Sequence, residues 1–305
     1  MDEYYSNGKL LITGEYLVLK GATSLALPLK LGQRMMINSS THPSGKIYWN
    51  TYVKDQLWFQ SVYSLQNFDI LYSSDVHTAM FVRKILLQAL KLNADFSDNM
   101  KSVNITNYLD FSPMFGLGSS SSLISNIAYW MKVDPFDLLR QTCDGSGYDV
   151  ACARAPGPIS YKLNHDIPFY WPVDFIPSYS EYIYFVYLGK KVLSQSSIKE
   201  FRVNLELNSN RVTEISAITQ SIINANSIRE FEELIVQHEN ILSKVLNMPT
   251  IKSQLFSDYW GCIKSMGAWG GDFILVTSQE DRSEVEAYFR KKGLPIVYGY
   301  QEIVL

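Results

Sequence analysis

The second half of the chain predicts an α+β arrangement, and three observations support it. Beyond residue 180 the sequence reads β-α-α-β-α-β, which suggests helices layered on one antiparallel sheet. Three prolines in "PFYWPVDFIPSYS", Pro168 to Ser180, mark a change of composition that separates this half from the first. The length of 305 residues admits two ordinary domains or one large one.

The elements follow from local pattern. Lys9 to Leu29, "KLLITGEYLVLKGATSLALPL", has short β-favouring runs broken at Gly14 and Gly21 and reads as strand, turn and further strand. Ile47 to Val62 alternates aromatic and polar positions, as a hairpin does. Val76 to Leu92 places apolar residues at helical spacing, and Val103 to Phe111 returns to a period of two. Ser122 to Lys132 is again helical. Asp134 to Thr142 is a second helix, with Asp134 as its cap and Pro135 at its first position. "APGPISYKL" reads as a turn into a strand. In the second half, residues 181–188 form a strand, 208–225 and 227–246 two helices, 272–277 a strand, 280–292 a helix and 295–305 a final strand.

Composition excludes several function classes. Apolar residues make up 47% of the chain, enough for a large core. The net charge is −3 with no basic block, which argues against a nucleic-acid partner. No apolar run reaches the ~18–20 residues that span a bilayer, and "MDEYYSNGKLLITGEY" does not read as a signal peptide. Three cysteines, Cys143, Cys152 and Cys262, are too few for a disulfide scaffold and suit a reducing, cytoplasmic setting. The four histidines lack zinc-ligand spacing.

The stretch "FSPMFGLGSSSSLISN", Phe111 to Asn126, carries the chemistry. A strand enters a glycine turn and an apolar helix leaves it. That order aims unpaired backbone N–H groups at one point, where the helix dipole adds partial positive charge. Glycines let an anion approach and serine hydroxyls donate further. The reading is a phosphate cradle, set against a structural turn or linker. A Walker A loop is excluded because no Lys-Ser/Thr follows the second glycine, and a dinucleotide fingerprint because GxGxxG is absent.

"PMFGLGSSSS" resembles the phosphate-loop signature of the GHMP kinases, the family of galactokinase, homoserine kinase, mevalonate kinase and phosphomevalonate kinase. "GKLLITGEYLVLKGA", Gly8 to Ala22, resembles that family's N-terminal motif. "KSMGAWGGDFILVT", Lys264 to Thr277, resembles its third, glycine-rich motif. Between them "GSGYDVACA" resembles the segment with the catalytic aspartate. "GEY", "GSGYDVA" and "GGD" lean toward the phosphomevalonate and mevalonate kinase branch. The resemblance spans nearly the whole chain. It implies an α+β fold of two domains. Residues 1–175 form an N-terminal, ribosomal-protein-like α/β domain that binds ATP, and residues 176–305 a C-terminal, ferredoxin-like β-α-α-β-α-β domain. The active site lies in the cleft between them. The implied activity is transfer of the γ-phosphoryl group of ATP, with Mg²⁺, to phosphomevalonate or mevalonate. The implied setting is the cytoplasm, as a monomer or homodimer with no membrane partner. Diphosphomevalonate decarboxylase and a ligand-binding relative without turnover are the alternatives.

Carried over residue by residue, the resemblance makes Asp149 the general base and Lys9 its cationic partner. On their own, Asp149 also reads as a helix cap and Lys9 as an ordinary solvated lysine. Gly116, Leu117, Gly118, Ser119, Ser120 and Ser121 are expected on the ATP phosphates, with Ser120 on Mg²⁺. A second metal carboxylate does not align, Asp137 and Asp144 being weak candidates. Gly267, Ala268, Trp269 and Gly270 are expected near the acceptor. Apart from the resemblance, Lys190 and Lys191 lie just after the first strand of the second half and are read as cations for an anionic acceptor, set against a solvated basic turn. Trp269 departs from the family pattern, which has glycine there. Its indole is expected in the acceptor pocket or in packing between the domains. Glu15 is expected either to order the N-terminal motif or to touch substrate.

Overall fold

The computed structural model describes residues 1–39, 45–99, 102–189 and 209–305. Its contacts divide the chain into two compact units. One comprises residues 1–8, 31–113 and 117–154; the other comprises 9–30, 114–116 and 155–305. The units are interleaved in sequence, because strands β1 (Asp2–Leu11) and β2 (Ser24–Ser39) each give residues to both. In this division 9–30, 114–116 and 155–175 group with the residues beyond 175.

The first unit is a sheet with helices packed against it. Strands β3 (Lys46–Val53), β4 (Gln56–Ser64), β5 (Ile70–Ser73) and β6 (Val103–Leu109) join the later part of β2 in the order β5-β4-β3-β6-β2. β3 and β6 run parallel; the other pairs are antiparallel. The expected hairpin closes through a two-residue turn, Lys54 and Asp55, both at positive φ. That primed geometry matches the twist of the flanking strands. Helices α1 (Val76–Leu92), α2 (Ser119–Met131) and α3 (Pro135–Thr142) bring Val82, Ile85, Leu86, Ile124, Ile127 and Leu138 into one core with Met35, Ile47, Trp49 and Phe59 of the sheet. α1 has the expected bounds, and Asp75 caps it through Thr78 N–H. α3 starts as its sequence dictates: the Asp134 carboxylate accepts from Phe136 and Asp137 N–H, both at 2.9 Å, with Pro135 at the first position. α4 (Tyr148–Cys152) is a single short turn of helix.

The second unit holds the predicted antiparallel sheet. Its strands are β9 (Ile183–Tyr187), β10 (Ile263–Met266), β11 (Phe273–Thr277) and β12 (Val297–Gly299), in the order β10-β11-β9-β12. Helices α5 (Ser209–Ile223), α6 (Ile228–Leu246), α7 (Ile251–Leu255), α8 (Arg282–Lys291) and α9 (Tyr300–Ile303) complete it. β10 was not legible, being only four residues of mixed polarity, "IKSM". With it included, the strand order is that of the ferredoxin-like split β-α-β arrangement. The expected final strand over 295–305 is cut short at Gly299. There the Glu302 carboxylate accepts from Gly299 N–H at 2.8 Å and starts α9.

The proline-rich stretch also differs from expectation. Strand β7 (Ile159–Asn164) turns through His165 and Asp166, both at positive φ, into β8 (Ile167–Pro172). Pro168 and Pro172 therefore lie within a strand, not a linker. β8 pairs with β7 and, among the described residues, with no other strand. An edge strand tolerates residues that lack an N–H donor.

Removing the α3 cap tests the first of these local rules. Asp134→Ala is expected to lower stability by about 1 kcal/mol in urea unfolding, and an unchanged midpoint would refute the cap.

Candidate functional site

Residues 117–122 of the phosphate-loop candidate belong to the first unit and residues 114–116 to the second. In the first unit Leu117 is fully buried, so it anchors the loop and offers only its backbone. Gly118 caps α2 in the left-handed conformation, φ 98°, a geometry that favours glycine. The helix it starts leaves the N–H groups of Ser119, Ser120 and Ser121 without intrahelical partners. The Ser121 hydroxyl donates back to the Gly118 carbonyl at 2.9 Å, closing the first turn. Ser120 is exposed. Its hydroxyl is the freer donor, and oxygen is the donor type that Mg²⁺ takes. Beneath the serines α2 is held by polar bonds. Ser122 donates to Gln33 Oε1 at 2.9 Å, Asn126 Nδ2 to the Gln33 carbonyl at 3.0 Å, and Ser6 to Asn126 Oδ1 at 2.8 Å. These fully or nearly buried groups fix the helix start in register with β1 and β2.

Asp149 belongs to the same unit. The turn "GSG" ends at Gly147, φ 90°, which caps α4 and puts Asp149 in its first turn. Its carboxylate is half-buried and accepts from Val150 N–H at 3.0 Å. The residue thus sits inside the helix, not at its cap. Asp137 pairs with Arg140 on α3, while Asp144 is exposed. Among the described residues no group of three or more His, Cys, Asp or Glu side chains is placed to hold a metal.

In the second unit the loop residues Met114 to Gly116 meet three further segments. Lys9 Nζ donates to the Gly116 carbonyl at 2.9 Å. Gly116 has φ 68°, and a Cβ there would collide with Asp272 Oδ2. The carboxylate thus rests directly on the glycine, a contact sequence reading missed; the "GGD" of the third motif was its only signal. Phe115 packs on Tyr187 and Phe273, with ring centroids 4.4 and 6.1 Å away.

The glycine-rich third motif follows β10. Gly267 and Gly270 are left-handed, at φ 68° and 65°. Trp269 is not among the positive-φ residues, so its position makes no demand for glycine. Its indole is buried against Tyr16, Leu17, Ile215 and Leu242, and Nε1 donates to the Pro249 carbonyl at 3.2 Å. All of these groups belong to the second unit. The side chain faces core, so any ligand contact made by Trp269 is through its backbone. Three loop amides are engaged internally: Trp269 N–H donates to the Tyr16 hydroxyl, Gly270 N–H to Ser265 Oγ and Gly271 N–H to the Ala268 carbonyl, at 2.6, 2.9 and 2.8 Å. Gly267 and Ala268 carry the remaining amides of this turn. Lys190 and Lys191 lie outside the described residues.

Below the loop is a buried ionic cluster. Lys264 has no solvent exposure, and its ammonium contacts Glu15 Oε1 and donates to the Ser265 carbonyl at 2.8 Å. Glu15 is 3% exposed. Burial pushes its carboxyl up and the Lys264 charge pulls it part of the way back. His238 Nε2 accepts from Gly14 N–H at 3.0 Å, so the imidazole is neutral, and burial and Lys264 hold it well below its usual range. Glu239 accepts from Ser265 N–H at 3.2 Å, and burial pushes its carboxyl up to about 7. Of the two expectations for Glu15, ordering its motif is the one this geometry supports.

No protein-family model and no curated protein matches the sequence. Solved structures do match over nearly the full length. Methanococcus jannaschii mevalonate kinase superposes with a TM-score of 0.74 at 15% identity, covering 97% of this chain and 96% of its own. Streptococcus pneumoniae phosphomevalonate kinase, solved with phosphomevalonate and AMPPNP, gives 0.70 at 17%, covering 98% and 100%. Lactococcus lactis galactokinase, solved with galactose, gives 0.64 at 12%, covering 98% and 92%. The chain therefore has the fold of the GHMP kinases.

The buried pair makes a direct prediction. Lys264→Met leaves the Glu15 carboxylate without its counter-charge and is expected to cost about 3–5 kcal/mol in urea unfolding near neutral pH. A loss under about 1 kcal/mol would show that the pair does not hold the unit together.

Proposed function

We propose that this chain, with the fold described above, is an ATP-dependent small-molecule kinase whose acceptor is phosphomevalonate or mevalonate. The observation that carries the reading is the loop itself. "GLGSSSS" sits at the start of a 13-residue helix, behind a left-handed glycine, with three backbone donors and an exposed hydroxyl at one end. This is the geometry that binds phosphate oxygens. The likeness to a phosphomevalonate kinase solved with its substrate and an ATP analogue adds support for the acceptor.

In this reading the amides of Gly118 to Ser121 hold the β- and γ-phosphates. Ser120 Oγ is a ligand for Mg²⁺, whose charge offsets that of the phosphates when bound. Asp149 takes the proton from the acceptor hydroxyl, the alcohol of mevalonate or the P–OH of the phosphomevalonate monoanion, as that oxygen bonds to the γ-phosphorus. The bond from phosphorus to the β,γ-bridging oxygen breaks and ADP leaves. Lys9 supplies positive charge where negative charge grows on the transferring group. Its bond to the Gly116 carbonyl ties that charge to the phosphate loop. Gly267 and Ala268 offer amides to the acceptor, with Lys190 as a cation for its anionic groups. The product carries one more phosphoryl group, and no CO₂ is released, which separates this reaction from the decarboxylase. The setting we infer is the cytoplasm, as a monomer or homodimer.

Two measurements test the proposal. Purified protein with ATP and Mg²⁺ is expected to form ADP with phosphomevalonate or mevalonate, and not with galactose or homoserine. ADP formation with none of them would remove the reading. Asp149→Asn is expected to lower kcat about 10²–10⁴-fold while nucleotide affinity by calorimetry stays within about threefold. Full activity in that variant would refute the base.

A further inference from the structure

Among the described residues, five buried side-chain atoms in the second unit have no hydrogen-bond partner, and three of them lie together: Glu15 Oε2, His238 Nδ1 and Glu239 Oε2. All three belong to the ionic cluster under the glycine-rich loop. A buried polar atom left unpaired is costly, so a cluster of them calls for a functional account. The cluster connects to the loop by a short path. Glu239 Oε1 holds the Ser265 N–H, the Ser265 carbonyl holds Lys264 Nζ, and Ser265 Oγ holds the Gly270 N–H. A second path runs from the N-terminal motif, where Tyr16, next to Glu15, accepts the Trp269 N–H.

We propose that Glu239 is a positioning residue for the loop from Gly267 to Gly271, fixing it through Ser265 in the conformation that presents the Gly267 and Ala268 amides to the acceptor. The inference rests on the kinase reading for its consequence in turnover, but not for its consequence in loop structure.

Charge explains why the carboxyl is suited to this. The titratable groups facing Glu239 are Lys264 on β10, Glu15 from the N-terminal segment and the Cys262 thiol, with His238 adjacent on α6. One ammonium cannot neutralise two buried carboxylates. With Glu239 protonated the cluster is neutral, and Glu15 keeps Lys264 to itself. When Glu239 ionises, it competes for the same ammonium, which also holds Ser265. The sign follows from its raised pKa. The folded chain retains a proton there that the unfolded chain releases, so this group's contribution to stability falls as pH rises from about 4.5 to about 7 and is flat above. The loop is expected to loosen over the upper end of that interval.

The test compares Glu239→Gln, which keeps the acceptor for Ser265 N–H and cannot ionise, with Glu239→Ala, which removes it. Ser265→Ala serves as a third variant, leaving every buried carboxyl in place and deleting only the acceptor for Gly270 N–H. Amide hydrogen exchange is read peptide by peptide at matched pH, and kcat, KM and nucleotide affinity are measured alongside. Glu239→Ala and Ser265→Ala are expected to speed exchange over residues 264–271 at least tenfold relative to Glu239→Gln, with α8 unchanged. They are expected to lower kcat at least tenfold, with nucleotide affinity within threefold. Glu239→Gln is expected to keep kcat within threefold and to lose the fall in wild-type kcat centred near pH 7. Equal exchange over 264–271 in all variants overturns the proposal. So does a wild-type pH profile retained in Glu239→Gln. If no acceptor is turned over by the wild type, the kinase reading fails and the exchange measurement still decides this one.

Discussion

An ammonium group without access to water organises the second unit. Lys264 lies on β10, its carboxylate partner Glu15 is some 250 residues earlier, and the neighbouring imidazole and second carboxyl come from α6. Desolvating an ion costs several kcal/mol unless its partners are in place, so the three segments assemble together or the site does not form. The same requirement sets the chemistry above it. Glu15 is followed by Tyr16 and Lys264 by Ser265, and these two neighbours hold the amides of Trp269 and Gly270. Order in the glycine-rich turn is therefore inherited from charge pairing in the core, not from the turn's own composition.

The fold was legible wherever one period dominated. α1, α3 and the β3–β4 hairpin follow from apolar spacing, an aspartate cap and alternating aromatics, and they lie where those signals put them. Short elements were hidden because four residues cannot display a period: β10 reads "IKSM" and β5 "ILYS". β8 was hidden for a different reason. Its prolines read as a linker, and only the pairing register, Leu163 opposite Pro168 and Ile159 opposite Pro172, shows that they lie within a ladder.

The candidate site was legible in its backbone and opaque in its side chains. Glycines at 116, 118, 147, 267 and 270 all occupy the left-handed region, as turns into a binding loop require. Partner choice could not be read. Nothing local in "GEYL" or "QHEN" says that Glu15 and His238 meet, nor that Asp272 rests on Gly116. Trp269 shows the same limit. A bulky residue in a glycine-rich motif left both the acceptor pocket and packing open; its backbone is ordinary there and its indole fills space beside Tyr16 and Leu242.

Strand β8 has a consequence beyond the site. It presents Ile167, Phe169, Tyr170 and Trp171 to solvent at 43–59% exposure, along a margin that no other described strand covers. Such a margin is a template for cross-β stacking between molecules. N–H groups alternate between the two edges of a strand, so Pro168 and Pro172, four residues apart, both remove a donor from the same edge. The prolines that disguise this segment as a linker thereby act as gatekeepers of the aromatic rim, interrupting the donor row that an incoming strand would use.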